Sequence, residues 1–529
     1  MNIPTETLPD DPAALQEIIS TMQAEMALLH ERYEQQVSLL LEQIRLLRHE
    51  LFGKRSEKQP ADATAVQLPL FDLPEPEHIE PAKTVVESHS RKKPGRRPLP
   101  EDLPRIEILH DLEDGEKICP CGCQLSRIGE EVSEQLDIVP ARIQVLRHIR
   151  PKYACRQCEG VEDAGPTVRI APPPLQLIPR SIASPGLLAQ VLTAKFVDHL
   201  PFYRQEQFFA RLGVDIGRAT MCNWAMRAAE ACIPLLNLIE DEILASRLIN
   251  IDETTVQVLA EPGRAATATS YMWLFSRGDP ERPALLYQYH STRRGEVAKT
   301  FLGDFQGIVQ TDGYGGYDFL NHIPGVRHAG CLAHVRRKFM EVVKAQGKNR
   351  KSGSADQALA CIQQLYGLEK EAHARGLQPD AIKEMRAQQA QPLLDNFHLW
   401  LVKRASQTPP KGLLGKAISY ALNQWDRLVV YLEDGIVTPD NNRAENAIRP
   451  FVLGRKNWLF AGTPKGAEAS ALLYSLIETA KANGCEPYSY LRHIFDQLPR
   501  VNSLAGYEAL LPWNLDRMKL MQDTLEISD

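Results

Sequence analysis

Long apolar runs are missing from this 529-residue chain. Nothing approaches the roughly 18 consecutive apolar residues that a membrane helix requires, so none is expected. The stretch from Met1 to Asp11 is polar and acidic and lacks the basic and apolar regions of a secretory signal, so the expected location is the cytoplasm. Positive charge is not in excess either. The net charge of −6 argues against a uniformly basic nucleic-acid surface but leaves room for local basic patches. Cysteine is scarce, with ten in the whole chain. Five of these (Cys119, Cys121, Cys123, Cys155 and Cys158) fall within forty residues, a clustering that points to metal rather than disulfides in a reducing compartment. What is present is an ordinary globular balance, 43% hydrophobic and 24% charged, in a chain too long for one core. Three or more domains are expected.

Over residues 13–52 apolar side chains recur at helical spacing. Leu15, Ile19, Met22, Met26, Leu29 and Tyr33 are followed by Val37, Leu40, Ile44, Leu47 and Leu51, with one stutter at Tyr33. No Pro or Gly interrupts the run, which predicts a coiled coil and hence self-association. A single amphipathic helix packed on its own protein is the plainer alternative. Residues 53–104 form a proline-rich linker ending in Arg91-Lys92-Lys93-Pro94-Gly95-Arg96-Arg97-Pro98. Such a run can neutralise phosphates, and an extended segment bearing Arg96 and Arg97 could lie in a minor groove. The alternative is a solvated tether.

Residues 105–172 carry the cysteines. Cys155-Arg-Gln-Cys158 is a C-x2-C knuckle, and Cys119-Pro-Cys121-Gly-Cys123 supplies a second half about thirty residues earlier. Two such halves can close a tetrahedral structural zinc site, although which upstream pair serves is open. Free thiols or a redox pair are the competing reading. Residues 180–245 read as helical. A helix ending at Gly213, a short turn and a second helix from Arg218 suggest a helix-turn-helix offering Arg218, Thr220 and Asn223 to DNA. Phe208, Leu212, Met221 and Trp224 would be its core. Plain helical domains also contain such pairs.

Short β-rich runs follow at Leu248 to Val258, Tyr271 to Ser276, Ala284 to His290 and Gly307 to Thr311. Two of them carry carboxylates, Asp252 and Asp312, where a strand can aim them into a cleft beyond the sheet. Gly313 after Asp312 permits close approach of a backbone or a phosphate. A third carboxylate, Glu445, lies on a helix that Asp440 could cap and that Pro450 should kink or end. Asn442, Glu445 and Arg449 share one face of that helix. Taken singly, each acid is more often a cap or a surface charge. Together they are the hard oxygen ligands that two magnesium or manganese ions need for in-line phosphodiester chemistry. Arg449, Arg455 and Lys456 would hold phosphates beside them.

With these residues in view, the chain resembles the insertion-sequence-66 family of transposases over nearly its full length. The resemblance rests on Leu51-Phe-Gly-Lys-Arg-Ser-Glu-Lys58, Lys93-Pro-Gly-Arg-Arg-Pro98, Arg150-Pro-Lys-Tyr-Ala-Cys155 and Ile251-Asp-Glu-Thr254. It also rests on Thr311-Asp-Gly-Tyr-Gly-Gly-Tyr317, Cys331-Leu-Ala-His-Val-Arg-Arg-Lys-Phe339 and Asn441-Asn-Arg-Ala-Glu-Asn-Ala-Ile-Arg-Pro450. Gly454-Arg-Lys-Asn-Trp-Leu-Phe460 and Leu511-Pro-Trp-Asn514 complete the set.

The resemblance implies a multidomain α/β plus α protein. Its parts would be a leucine zipper, a zinc-binding domain, a helical DNA-binding region, and an RNase-H-like domain over residues 246–482. That last domain would carry a helical insertion at about 333–435 and be followed by a helical segment at 483–529. It implies Asp252, Asp312 and Glu445 as the catalytic triad, element ends and target DNA as partners, and accessory proteins besides. The upstream cysteines depart from the family's commoner C-x2-C. His334 lies in a family motif with its role open between DNA contact and packing. The activity implied is metal-dependent cleavage at element ends followed by strand transfer of the 3′-OH. A regulatory DNA-binding protein and an RNase-H-like nuclease without strand transfer are the alternatives.

Overall fold

The structure is a computed structural model describing residues 143–154, 168–346 and 352–520, with part of residues 16–44. The zinc-module cysteines Cys119, Cys121, Cys123, Cys155 and Cys158 and the basic run with Arg96 and Arg97 lie outside the described residues. So do Leu15, Ile19, Leu47 and Leu51 of the apolar repeat, whereas residues 20–30 are helical and their Met22, Met26 and Leu29 are exposed. The chain divides into two compact units, residues 68–149 and the rest. Residues 143–149 carry no regular element, and everything below concerns the other unit.

A short antiparallel pair, β1 (Lys152–Ala154) and β2 (Val168–Ile170), precedes four helices. These are α1 (Pro185–Phe196), α2 (Phe202–Arg211), α3 (Arg218–Ala231) and α4 (Ile233–Leu244). Ser184 caps α1 through its side-chain oxygen, which accepts from Leu187 N at 3.2 Å. The predicted helix-turn-helix is present as α2 and α3, with Gly213 at φ +80° opening the turn. Its core differs from the expectation. Met221 and Trp224 are buried, but Phe208 and Leu212 are 36% and 40% exposed, and Phe209 and Phe202 fill the interior instead. One residue along a helix turns a side chain by about 100°, which is enough to exchange Phe208 for its neighbour.

The central sheet has the order β5-β4-β3-β6-β7. Strands β3 (Leu248–Gln257), β4 (Thr269–Arg277) and β5 (Leu285–His290) form an antiparallel meander. Helix α5 (Glu296–Leu302) then crosses over to β6 (Gly307–Gln310), which runs parallel to β3, and β7 (Val326–Ala329) lies parallel to β6. The alternation of a strand divides the interior in two. Ile249, Ile251 and Val309 face one core with Trp273, Phe275 and the α4 residues Leu235 and Ile239. Leu248 and Ile308 face a second core built by the helical block. Phe275 and Phe301 stack at 3.8 Å between ring centroids, fixing α5 on the sheet.

The helical block begins with α6 (Leu332–Gln346) and α7 (Ser354–Ala374). It continues through α8 (Pro379–Met385), a π-turn, α9 (Gln391–Ala405), α10 (Leu413–Asn423) and α11 (Trp425–Leu428). Val335, Phe339, Ile362, Leu394 and Ile418 are its buried centre. Fully burying each such side chain contributes about 1.5–3 kcal/mol. The chain then enters α12 (Asn442–Trp458), α13 (Pro464–Ala482), α14 (Pro487–Gln497) and α15 (Leu504–Ala509). Pro450 neither ends nor replaces α12, which continues to Trp458. Ile448 and Phe451 are buried on either side of it, and their packing holds a turn that proline disfavours. Lys195 of α1 lies 4.5 Å from the ring centroids of both Phe202 and Trp458, joining α1 to the far end of α12.

Candidate functional site

The three predicted acids arrive on different elements. Asp252 is the fifth residue of β3, Asp312 follows β6 by two positions, and Glu445 sits in the first turn of α12. Asp252 points to the same face as Leu248 and Asn250, the face that the helical block covers. Asp440 does not cap α12 from the N-cap position, which Asn441 holds, but its Oδ1 accepts the N–H of Asn442 at 3.1 Å.

A buried amide network fixes these elements to one another. Asn250 Nδ2 donates to Gln310 Oε1 and to Asn441 Oδ1, both at 2.9 Å. Asn441 Nδ2 donates to the Ile251 carbonyl at 2.9 Å. Gln310 Nε2 donates to the carbonyls of Thr438 at 2.7 Å and Gly330 at 3.2 Å. All three amides are 1% exposed or less. Each lies next to a feature of the site: Asn250 two residues before Asp252, Gln310 two before Asp312, Asn441 four before Glu445. Buried amides bonded to one another specify one arrangement, because losing a partner strands the other; Asn250 Oδ1 alone among their side-chain atoms has no partner.

The electrostatics report how close the acids lie. The Asp252 carboxyl is held well above its usual range by burial and then by Glu253, Glu445 and Asp312. Glu445 is raised by burial, opposed by Arg337, and raised further by Asp440 and Asp312. Glu253, whose side chain is 2% exposed, is raised by burial and opposed by the Tyr317 hydroxyl that donates to it. Several carboxyls that resist ionising together make a site that a hard divalent cation would relieve, and the convergent oxygens suit magnesium or manganese.

Cations already attend the cluster. Arg293 contacts Glu253 and, at 3.7 Å, Asp312, while its guanidinium lies 3.8 Å from the Tyr314 ring centroid. Arg337 lies 3.6 Å from Glu445 Oε2. Arg449 is near enough to Glu445 to favour its charged form. Arg455 donates to the hydroxyls of Thr254 at 3.2 Å and Thr255 at 3.0 Å, so it is tied to β3, and Lys456 is exposed. Neither Arg293 nor Glu253 was singled out by sequence reasoning. Arg293 comes from the loop after β5, where no periodicity marks it.

The space beside Gly313 is not open. A Cβ there would come within 2.2 Å of the Tyr420 hydroxyl, so a side chain of the helical block makes the close approach that glycine permits. His334 is placed beside Glu445, with its Nδ1 3.6 Å from Oε1. Burial holds His334 down at about 4, so at neutral pH the ring is uncharged and the contact is not an ion pair.

Away from the acids, Arg218, Thr220 and Asn223 are exposed along the outer face of α3. The first backbone N–H of that helix donates to Glu206 of α2 at 3.0 Å. The positive end of α3 is therefore already capped by a carboxylate.

An α/β sheet gathers these carboxylates beside a helical block, and sequence comparison identifies the family. The chain belongs to the IS66 family of transposases. The model for "Transposase IS66 family" matches residues 180–469, and that for "IS66 C-terminal element" matches 475–513. The "zinc-finger binding domain of transposase IS66" matches 116–159, which contains all five clustered cysteines and supports structural zinc. "Transposase C of IS166 homeodomain" matches residues 39–108. Among curated relatives, "Uncharacterized protein y4jD" of Sinorhizobium fredii (strain NBRC 101917 / NGR234) is 33% identical over 518 residues, covering 92% of this chain and 98% of that one. "Uncharacterized protein y4hP" of the same strain is 32% identical over 502 residues, covering 90% and 88%. The family supports a transposase with DNA as its partner. Among the described residues no helix is long and apolar enough to cross a membrane.

Proposed function

We propose that the chain cleaves DNA at the ends of its element and joins the freed 3′-OH to target DNA, using Asp252, Asp312 and Glu445 as catalytic ligands for two magnesium or manganese ions. The observation that carries this is the convergence of the three carboxylates, each anchored two to four residues away by the Asn250–Gln310–Asn441 network, with Glu445 and Asp312 raising Asp252 and Asp312 raising Glu445. The sheet order, a meander extended by two strands parallel to its first, supports an RNase-H-like core.

The bound ions would activate the attacking water or hydroxyl and stabilise the leaving oxygen. The remaining work falls to side chains. Asp252, Asp312 and Glu445 stand on elements tied together by the amide lock, and Asp252 and Asp312 also accept backbone N–H groups of Glu253 and Tyr314, so little reorganisation would accompany the reaction. Arg293 holds Glu253 and borders Asp312, balancing charge on one flank. Arg449, Arg455 and Lys456 on α12 would grip phosphates on the other. Arg218, Thr220 and Asn223 would contact bases or phosphates from α3, with Arg96 and Arg97 adding charge from the linker. Cys155 and Cys158 with two of Cys119, Cys121 and Cys123 would hold structural zinc. Residues 13–52 would pair two copies through a coiled coil, a reading in keeping with the exposed Met22, Met26 and Leu29.

The test is cleavage of the element's own ends with Mg2+. Glu445→Gln should lower cleavage by more than about 100-fold, beyond the range for residues that merely orient a ligand, with DNA affinity retained. Cleavage at wild-type rates by this variant would remove Glu445 from the site. Joining of pre-cut ends to a target separates a transposase from a nuclease that only nicks.

A further inference from the structure

The motif Cys331-Leu-Ala-His334 has no part in the reaction as proposed. It straddles the start of α6, and its spacing of three turns both side chains toward Glu445. His334 Nδ1 is 3.6 Å from Glu445 Oε1, and Cys331 Sγ is 4.0 Å from the same oxygen. The three donor atoms lie within 4.8 Å of one another. Arg337 attends the other oxygen, Oε2, at 3.6 Å, which leaves Oε1 to the sulfur and the imidazole.

Two details go beyond packing. His334 Nδ1 is buried with no hydrogen-bond partner, a condition that costs about 1–3 kcal/mol for an ordinary polar atom. The Cys331 sulfur, 3% exposed at the residue level, accepts the Asn441 N–H at 3.2 Å, although burial and then the neighbouring Asp440 and Glu445 push its thiol up. An unpaired ring nitrogen, a sulfur with an N–H aimed at it and a carboxylate oxygen form a mixed N/S/O set. Magnesium has no use for sulfur, whereas zinc takes all three donor types.

We propose that Cys331 Sγ, His334 Nδ1 and Glu445 Oε1 form a second metal site, selective for zinc-like ions, in which Glu445 is withdrawn from the magnesium set. Tetrahedral zinc, at roughly 2.3 Å from sulfur and 2.0 Å from nitrogen and oxygen, would place these donors about 3.3–3.5 Å apart. The two separations to Glu445 Oε1, 3.6 Å from nitrogen and 4.0 Å from sulfur, need to close by about 0.3 and 0.5 Å, and the sulfur and nitrogen start within 4.8 Å of each other. Binding breaks the Cys331 S–H bond, forms S–Zn and releases one proton to solvent, with no change of oxidation state. The fourth position stays open to water. The binding claim stands on this geometry alone. Its consequence, inhibition of DNA cleavage by zinc, rests on the role proposed for Glu445.

Co2+ added to the full-length protein, with its zinc module already loaded with zinc, reads the site directly through sulfur-to-cobalt charge-transfer absorption. The wild type should bind one equivalent that Cys331→Ser does not. His334→Ala and Glu445→Gln should each weaken that equivalent by more than 10-fold, and excess Mg2+ should compete with it. His334 has 21% of its side chain exposed, so its variant perturbs the core little and carries the test should Cys331→Ser fold poorly. Equal cobalt stoichiometry and affinity in the wild type and His334→Ala would overturn the proposal. A wild type that binds cobalt as described but never cleaves DNA would instead count against the catalytic reading alone.

Discussion

The carboxylate end of the sheet and the outer face of α3 are both polar, and they are built in opposite ways. At the first, Asn250, Gln310 and Asn441 are buried and bonded to one another, and the acids stand on backbone fixed by those bonds. At the second, Arg218, Thr220 and Asn223 are exposed, and only the apolar underside, Met221 and Trp224, is packed. The contrast suits the proposed roles: side chains that would hold ions at fixed positions gain from preorganisation, whereas side chains that would meet a deformable duplex gain from freedom to adjust. The contrast predicts which substitutions cost folding and which cost only binding.

The largest effect expected is on reaction rate. Asp252→Asn and Asp312→Asn should each reduce end cleavage by more than about 100-fold, and gel-shift affinity for the element ends should stay within a few-fold. A loss of affinity as large as the loss of cleavage would blur the two regions into one.

Next comes the amide lock. Asn441→Ala takes from the Asn250 amide one of its two acceptors, Gln310 remaining, and from the Ile251 carbonyl a buried donor, each loss costing about 1–3 kcal/mol. Denaturant unfolding should therefore show a loss of about 2–4 kcal/mol, with cleavage impaired even where the variant is folded. A loss below about 0.5 kcal/mol, the range for surface changes, would mean that the network is incidental.

The acids themselves should make stability depend on pH and metal. Asp252, Glu253 and Glu445 all have raised pKa values in the fold. Such groups favour folding below the unfolded carboxyl values of about 4 and lose that contribution as pH rises through the folded values. Metal-free protein should therefore lose stability from this cluster as pH rises above about 4. Mg2+ should restore it at neutral pH, by about 2.7 kcal/mol at a hundred times Kd, and not at pH 4. Glu445→Gln should blunt the response; an equal Mg2+ stabilisation in that variant would place the ion elsewhere.

The smallest effects on folding belong to α3. Asn223→Ala should change stability by less than about 0.5 kcal/mol and weaken binding to the element's ends by about 1–3 kcal/mol relative to unrelated DNA. Equal weakening on all DNA would make it a phosphate contact.

Much of the sheet was legible because β3 to β6 read as short apolar runs bounded by turns. Strand β7, Val326-Arg-His-Ala329, was not, since four residues carry too little pattern to declare themselves. The acids could be proposed because an aspartate within β3, another just past β6 and a helix-borne glutamate fall in a recognised motif set, although β3 runs on to Gln257 rather than ending at Asp252. What sequence could not supply was long-range pairing. Asn250 meets Asn441 across 191 positions, and Arg293 reaches Glu253 from a loop with no periodic signature. The core of the helix pair slipped by one residue, from Phe208 to Phe209, because two adjacent phenylalanines give a helical pattern two equal choices. Pro450 was expected to kink or end its helix; it does not end it, because the packing of Ile448 and Phe451, which local propensity leaves out, carries the helix on to Trp458.

The central claim is that Asp252, Asp312 and Glu445 bind divalent ions as one set, and Mn2+ titration of the full-length protein followed by electron paramagnetic resonance measures it. The account predicts saturable binding of two ions by the wild type and a weakening of more than 10-fold in each of Asp252→Asn, Asp312→Asn and Glu445→Gln. Mn2+ binding that is unchanged in all three variants would contradict it.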